Sequence, residues 1–444
     1  MPKRVLIANR GEIALRIARA CREAGVQSVA VHTRVEAGQP WLDVADDTVC
    51  VSDASYLDAG ALLAAATSRG CDALHPGYGL LSEQASFFEQ AEAAGLVLIG
   101  PASGTLRLMG DKVAARALAA DHGFQVLGDA TKPANSPGDV AAAQVGYPLL
   151  LKAVHGGGGR GMRLVRSESE LPAAFAEAGA EAAAAFGSGE LYPERYVESA
   201  RHVEVQVLGD GQGGAIHLGT RDCSVQRRHQ KLIEEAPAPF VDADALATLC
   251  AQCSAFAAAI GYRSAGTLEF LYDGENFYFI EMNARIQVEH PVTEVITGVD
   301  LVRAQLFVAE HGRLPLTQDE VTFHGHAIEC RVNAEHFDLA SGDVAPAPGT
   351  VTGWIAPGGP GIRLDSHLSV GASVPHQYDS LVAKLIGYGR DRDEALRRLD
   401  RGIGEFGIRG IGHNLAALGE ITRSPQFRAG ELDTGMVDHF RKRR

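Results

Sequence analysis

Ile280-Glu281-Met282-Asn283-Ala284-Arg285-Ile286-Gln287-Val288-Glu289 alternates without a break, apolar at every even position and polar at every odd one. Side chains of an extended chain point to opposite faces with period two, so this spacing predicts a strand with Glu281, Asn283, Arg285, Gln287 and Glu289 on one face. The same alternation describes an edge strand whose polar face is merely solvated. The identity of the polar residues favours a site. A carboxylate and an amide oxygen suit a hard divalent cation, while Arg, Gln and a second carboxylate suit a small oxyanion and its proton.

Working outward, Thr267 to Tyr272 reads as the preceding strand and carries Glu269, joined through Asp273-Gly274 to Phe277 to Ile280. Glu269 and Glu281 share a face only if odd residues oppose odd ones, for example Thr267 opposite Glu281, with an odd loop between the strands. Two carboxylates on adjacent strands are a compact way to hold magnesium at the terminal phosphates of ATP. Upstream, Gln226-Arg227-Arg228-His229-Gln230-Lys231 concentrates hydrogen-bond donors suited to a phosphate or bicarbonate pocket.

Tyr147 to Ala153 is a strand-like run carrying Lys152, followed by the glycine loop Gly156 to Gly161 and a second strand-like run from Met162. Gly156, Gly158 and Gly161 satisfy G-x-G-x-x-G, but the element after them is a strand, and the dinucleotide fingerprint requires a helix. No G-K-[ST] follows, so it is not a Walker loop. A glycine hairpin folded over a nucleotide and a plain surface turn both fit. In the first case Lys152 brings a cation to the α- and β-phosphates.

The N-terminal third reads as a parallel α/β layer. Val5 to Ala8, Val29 to Val31, Ala73 to Leu74 and Leu96 to Ile99 look like buried strands, with a helix after Gly11 carrying Ile13, Ile17, Ala20 and Cys21. Only Gly11 occupies the first turn, which excludes a dinucleotide fold there. The 444 residues require two or three domains, and 46% hydrophobic with 22% charged residues is a globular balance. A net charge of −14 argues against nucleic-acid and anionic-membrane partners. Seven scattered cysteines and an N-terminal apolar run too short for a signal peptide predict a reducing, cytoplasmic setting. Cys250 and Cys253 sit in an alanine-rich helical pattern and read as a buried helix face, not half of a zinc site.

Together these segments resemble the biotin carboxylase family. The resemblance is carried by Ile7 to Ala14, His75-Pro76-Gly77-Tyr78-Gly79, Leu108 to Lys112, Gly156 to Met162, Arg221 to Lys231, Glu281 to Pro291 and Glu329-Cys330-Arg331, in family order over nearly the whole chain. It implies a three-part ATP-grasp architecture of α/β and α+β class. The parts are an N-terminal parallel-sheet domain (1–111), a central ATP-grasp domain (112–313) with a mobile glycine-rich lid over about 131–203, and a C-terminal mixed domain (321–444). It implies that Lys112, Lys152, Gly158, Gly159, Glu194, Arg195, Tyr196, Val197, His202, Gln226, His229, Glu269 and Glu281 surround ATP. Glu269, Glu281 and Asn283 are implied to hold Mg²⁺ or Mn²⁺, as two ions. Lys231, Arg285, Gln287, Val288 and Glu289 are implied to bind bicarbonate, with Glu289 as its base. Arg331 is implied to stabilise the enolate-like oxygen of biotin, with Tyr78 and Gly79 nearby, although an ordinary Pro-Gly turn also fits those two.

The resemblance further implies ligase activity through carboxyphosphate, as the first half-reaction of an acetyl- or acyl-CoA carboxylase. It implies a homodimer through residues matching Arg19, Glu23 and Arg363. Biotin in this family is attached to a lysine flanked by methionines, and none of the five methionines here borders a lysine, so carrier and carboxyltransferase are expected on separate chains. Arg195 stands where the family pattern has lysine, Ala284 where it has threonine or proline, and Pro360 where it has an aromatic. The Lys231 cluster and Arg331 argue against a different acyl-phosphate-forming ATP-grasp ligase, and the full set of polar groups argues against a non-catalytic ATP-binding subunit.

Overall fold

The apolar run behind Lys3 and Arg4 forms β1 (Arg4–Ile7) in the computed structural model, which describes residues 2–53, 55–128, 133–155 and 161–441. It lies at the centre of a parallel sheet with β2 (Gln27–Thr33), β3 (Asp47–Ser52), β4 (Ala73–His75) and β5 (Val97–Leu98), in the order β3-β2-β1-β4-β5. Helix Gly11–Glu23 buries Ile13, Ile17, Ala20 and Cys21 against it, as their spacing predicts. The site-facing corner is tight. Asn9 Nδ2 donates to the carbonyls of Pro76 (2.6 Å) and Tyr78 (2.8 Å), and a Cβ on Gly77, at φ +63°, would come within 2.9 Å of the same nitrogen.

Helix Lys112–Asp121 opens the next unit. The Asp111 carboxylate caps it, accepting from the N–H groups of Val113 (3.0 Å) and Ala114 (3.1 Å), and so fixes where Lys112 enters the cavity. Asp111→Ala is expected to cost about 1 kcal/mol of stability, read by chemical denaturation.

After β6 (Gln125–Val126), β7 (Leu149–Ala153) pairs antiparallel with β8 (Arg163–Val165) and β9 (Leu191–Arg195), and helix Leu171–Phe186 covers this small sheet. Gly158 and Gly159 lie outside the described residues.

The remaining strands build one large sheet. They are β10 (Arg201–Asp210), β11 (Ala215–Arg227), β12 (Gln230–Ala236), β13 (Arg263–Tyr272), β14 (Phe277–Asn283), β15 (His326–Asn333), β16 (Ile362–Ser366) and β17 (Leu381–Gly389). Their order is β16-β17-β15-β12-β11-β10-β13-β14-β6, antiparallel except for the β14–β6 edge. One sheet therefore runs from the central segment into the C-terminal one through the β12–β15 pairing.

Phe124, Phe256, Phe270 and Phe279 interlock behind β13 and β14, with ring centroids 5.5 Å (Phe124–Phe256) to 6.5 Å (Phe256–Phe279) apart. Burial of each such ring contributes roughly 1.5–3 kcal/mol, which anchors the hairpin that carries the site. Cys250 and Cys253 point into this core from helix Ala243–Ala259, and burial pushes both thiols up. Among the described residues no helix is long and apolar enough to cross a membrane.

Candidate active site

The β13–β14 hairpin reaches the predicted carboxylate pairing by a different route from the one expected. Its loop, 273–276, is even, and near it Tyr272 faces Phe277 and Phe270 faces Phe279. That register would set Glu269 against Ile280. A bulge at Ile280 adds one residue to β14, and beyond it Glu269 faces Glu281 and Thr267 faces Asn283. The expected odd loop with Thr267 opposite Glu281 is thus corrected. Glu269, Glu281 and Asn283 nonetheless share one face.

The strand also ends earlier than the alternation suggests. It stops at Asn283, and 284–289 run as irregular chain into helix His290–Thr297, with Glu289 at its N-cap position and Pro291 in the first turn. Proline presets its own φ for a helix start, so Pro291 and the turn before it end the extended conformation there. Ala284 and Ile286 still bury in apolar clusters, as alternation requires, while Arg285, Gln287 and Glu289 still turn inward.

The inward groups form one bonded array. Lys231 Nζ donates to Glu269 Oε1 (3.0 Å) and Glu289 Oε1 (2.8 Å) and also to Glu204. Arg331 Nη2 donates to the other Glu289 oxygen (2.8 Å) and its Nε to Glu234 Oε1 (2.5 Å). Glu269 Oε1 accepts in addition from Asn283 Nδ2 (2.7 Å) and Gln287 Nε2 (2.6 Å), and His202 Nε2 lies 3.0 Å from Glu269 Oε2. Arg285 donates to Asn283 Oδ1 (2.7 Å) and pairs with Glu83 (3.0 Å).

Burial pushes the Glu289 carboxyl up, but Lys231, Arg331 and Arg221 outweigh it and hold the group well below the usual carboxylate range. Burial opposes the charge of His202, yet Glu269 and Glu204 raise its imidazole to about 9.

Two further lysines face the array. Lys112 Nζ donates to Glu281 Oε2 (2.6 Å), and Lys152 Nζ to Glu194 Oε2 (2.7 Å), whose other oxygen binds Arg116. Burial raises the Glu194 carboxyl, but Lys152 and Arg116 bring it below its ordinary value. Gln226 Nε2 and His202 Nδ1 lie 2.9 Å apart. Arg228 and His229, at φ 48° and 64°, form the tight two-residue turn between β11 and β12. Left-handed backbone at two non-glycine residues costs roughly 1–2 kcal/mol each and brings Gln226 opposite Lys231. Arg195 lies with its guanidinium 5.1 Å from the Tyr278 ring centre.

Lys112, Lys152, Glu194, Arg195, His202, Gln226, His229, Lys231, Glu269, Glu281, Asn283, Arg285, Gln287, Glu289 and Arg331 line a single cavity of about 770 Å³, together with Tyr196, Val197, Val288, Tyr78 and Gly79, while Glu83, Arg116, Glu204 and Glu234 bond to lining residues without lining it themselves. Every described residue of the expected site is therefore brought together. The Tyr78 hydroxyl donates to Glu12 Oε2 (2.7 Å). The apolar lining near β7 and β14, with Leu127, Leu150, Leu271 and Ile280, is suited to a flat ring.

Sequence reasoning missed Glu204, Arg221 and Glu234. β10 carried the signal: Val203, Val205 and Val207 enter the core while His202, Glu204 and Gln206 alternate with them on the polar face. Arg221 is fully buried and donates to Gln206 (2.8 Å), Thr293 (2.9 Å), Glu204 (3.0 Å), Thr267 (3.1 Å) and Gln287 (2.5 Å).

Residues 1–106 match the family model described as the biotin carboxylase N-terminal domain, 111–317 the carbamoyl-phosphate synthase L chain ATP binding domain, and 329–439 the biotin carboxylase C-terminal domain. The biotin carboxylase of Pseudomonas aeruginosa is 49% identical over 98% of this chain and 97% of its own, and that of Nostoc is 46% identical over 99% of each. Among solved structures, the Hydrogenobacter thermophilus 2-oxoglutarate carboxylase biotin carboxylase domain, a dimer with MgADP, ADP and bicarbonate, superposes with a TM-score of 0.95 at 41% identity, covering 99% of this chain and 98% of that one. Biotin carboxylase from Campylobacter jejuni also gives 0.95, at 40% identity and 99% of each chain. With matches that flank and include the cavity and near-half identity end to end, the chain belongs to the biotin carboxylase family.

Proposed function

We propose that this chain is an ATP- and bicarbonate-dependent ligase that carboxylates N1 of biotin held on a separate carrier protein. The observation that carries this reading is the position of Lys231. One ammonium touches Glu269 on the side of Lys112 and Glu281, and Glu289 on the side of Arg331. A single ammonium thus links the nucleotide side of the cavity to the carboxylate that the acceptor's cation also binds.

Glu269, Glu281 and Asn283 offer hard oxygen donors on one face, and this donor set fits Mg²⁺ or Mn²⁺. These three residues would hold the metal, as two ions, whose charge would offset that of the terminal phosphates. Lys112 and Lys152 take the phosphates, Glu194 to Val197, Gln226 and His229 the rest of ATP, and the described part of the lid, 133–155 and 161–203, covers the nucleotide.

Bicarbonate binds among Lys231, Arg285, Gln287 and Val288. Its anion takes over the Lys231 ammonium, and the loss of that partner raises the basicity of Glu289. Glu289 then accepts the bicarbonate proton as the oxygen attacks the γ-phosphorus and ADP leaves. Carboxyphosphate breaks into CO₂ and phosphate, the phosphate takes the N1 proton, and biotin attacks CO₂. Arg331 holds the negative charge on the ureido oxygen, with Tyr78 and Gly79 alongside.

Carrier and carboxyltransferase are separate chains in this reading, and the enzyme is a cytoplasmic homodimer of three domains (1–111, 112–313, 321–444). The dimeric Hydrogenobacter relative supports the assembly, and Arg19 and Glu23 are exposed and available for it. Arg363 is held by Asp365 (2.7 Å) and Glu294 (2.8 Å) within the chain.

The expected result with purified protein is ADP release that requires bicarbonate and increases with free biotin. Equal release with and without both would favour a bare ATPase and count against the assignment.

A further inference from the structure

Beneath Arg331 lie two carboxylates that the reaction described above does not use. Glu234 on β12 and Glu329 on β15 stand directly opposite each other in the antiparallel register, and both have zero exposure. Opposed side chains in such a pair have Cβ atoms about 4.5–5.5 Å apart. Of their four oxygens, only Glu234 Oε1 is bonded, by Arg331 Nε at 2.5 Å. Glu234 Oε2 and both Glu329 oxygens have no hydrogen-bond partner among the described residues. A carboxylate buried with neither oxygen bonded is among the costliest arrangements a protein can hold, unless it carries a proton.

Among the described residues, each cation near the pair is already bonded to other groups. Arg331 is matched by Glu234 and Glu289. Lys384, fully buried on β17 and facing Arg331 in register, gives its ammonium to Glu12 (3.0 Å) and the Val288 carbonyl (3.0 Å), with Asp365 at 4.0 Å. On the same face, the helix His290–Thr297 presents His290, and its imidazole is held well below its ordinary value, first by burial and then by Lys384, so it adds no positive charge. β11 presents Cys223, pushed well up by burial, and Arg221, which is committed to Glu204. Lys231 is shared among Glu204, Glu269 and Glu289. Glu235 and His326 pair with each other, and Arg392 also binds Glu235.

We propose that Glu234 and Glu329 share one proton, carried mainly by Glu329, and act together as the positioning pair that aims Arg331 into the cavity. The role for Arg331 rests on the biotin reading above; the shared proton does not. Burial drives the Glu329 carboxyl well up against the opposing charges of Lys384 and Arg331, with Glu234 and Glu289 adding to the rise, and burial with Glu289 raises Glu234 to about 7 against the pull of Arg331 and Lys231. With the proton in place, one negative charge anchors Nε, and Nη2 remains directed at Glu289 and the cavity. Without it, two adjacent carboxylates compete for the guanidinium and draw it down into the sheet.

The sign for stability follows from linkage. A carboxyl whose value in the folded chain exceeds its ordinary 4.5 binds its proton more tightly when folded. Its contribution is complete below 4.5 and is lost as pH rises through the elevated value. Glu329→Gln, an amide with the shape of the neutral acid, removes that loss.

Infrared difference spectroscopy on the wild-type protein at neutral pH tests the proton directly. The expected result is a protonated-carboxyl carbonyl band that shifts in D₂O, is lost on raising the pH and is absent in Glu329→Gln. No such band in the wild type, or one unchanged in both Glu329→Gln and Glu234→Gln, overturns the shared proton. Because the wild type alone supplies the band and its titration, the test holds even if a variant does not fold. Positioning is tested by the biotin KM. It should rise with pH in the wild type, flatten in Glu329→Gln and increase roughly tenfold or more in Glu234→Gln, which weakens the charge-assisted bond to Nε. A KM that follows the wild type across pH in Glu329→Gln overturns the positioning role. If free biotin fails to stimulate wild-type ADP release, the biotin reading and the positioning role fall together, and the shared proton is judged by the band alone.

Discussion

Replacement of Glu289 by Gln is expected to slow bicarbonate-dependent ADP release by about 10²- to 10⁴-fold, the usual contribution of a general base. The amide keeps the shape, and its one oxygen can still accept from Lys231 or from Arg331; each cation also keeps its other carboxylate partners, Glu204 and Glu269 for Lys231 and Glu234 for Arg331, so the fold should persist. What it loses is the capacity to take a proton. In the free protein Glu289 is held strongly anionic by Lys231, Arg331 and Arg221, which makes it a poor base until substrate anions draw those cations away. The defect should therefore appear in kcat more than in the KM for ATP, because Lys112, Lys152 and the Glu269–Glu281 face remain intact. Turnover near that of the wild type would remove the base role from Glu289.

Arg221→Met is expected to have the largest effect on stability, about 3–5 kcal/mol, the range for breaking a buried ion pair from one side. The guanidinium is fully buried and its N–H groups reach β10, β13, the 284–289 segment and the helix His290–Thr297. Methionine fills much of the volume but leaves Glu204 with only Lys231 and His202 nearby, and strips Gln287 of the donor that orients it. Arg221→Lys should recover only part of the loss, since one ammonium cannot reproduce bonds to five partners in different directions. Thermal unfolding of the two variants checks this; a midpoint within a degree or two of the wild type for Arg221→Met would contradict it.

How much of this was legible in the sequence follows from what each pattern encodes. Period-two alternation identified the inward groups of 281–289, because burial of Met282, Ala284 and Ile286 forces their neighbours the other way whether or not a strand continues. It could not locate the strand end, since an irregular extended segment alternates equally well. Parity reasoning required Glu269 and Glu281 to share a face, but a bulge changes parity without leaving a mark as plain as a turn residue, so the even loop was unforeseen. Arg228-His229 read as donors and not as a turn because neither is a glycine or asparagine.

The ion network was the least legible part. Glu204, Arg221, Glu234 and Glu329 are far apart in the chain, and only the strand order β13-β10-β11-β12-β15 brings them onto one surface. Four of the five strands of the parallel N-terminal layer, by contrast, were readable from buried runs and helix spacing alone, because each reports its own burial; the edge strand β3 (Asp47–Ser52) is only partly buried and was not read.

The most direct test of the central claim, that bicarbonate attacks the γ-phosphate inside this cavity, uses bicarbonate labelled with ¹⁸O, ATP and free biotin, with mass analysis of the phosphate released by the wild-type enzyme. Attack by a bicarbonate oxygen followed by cleavage to CO₂ leaves that oxygen on phosphorus, so labelled phosphate formed in step with ADP is the expected result. Unlabelled phosphate under the same conditions, with ADP still produced, would mean that water attacks the nucleotide, and would contradict it.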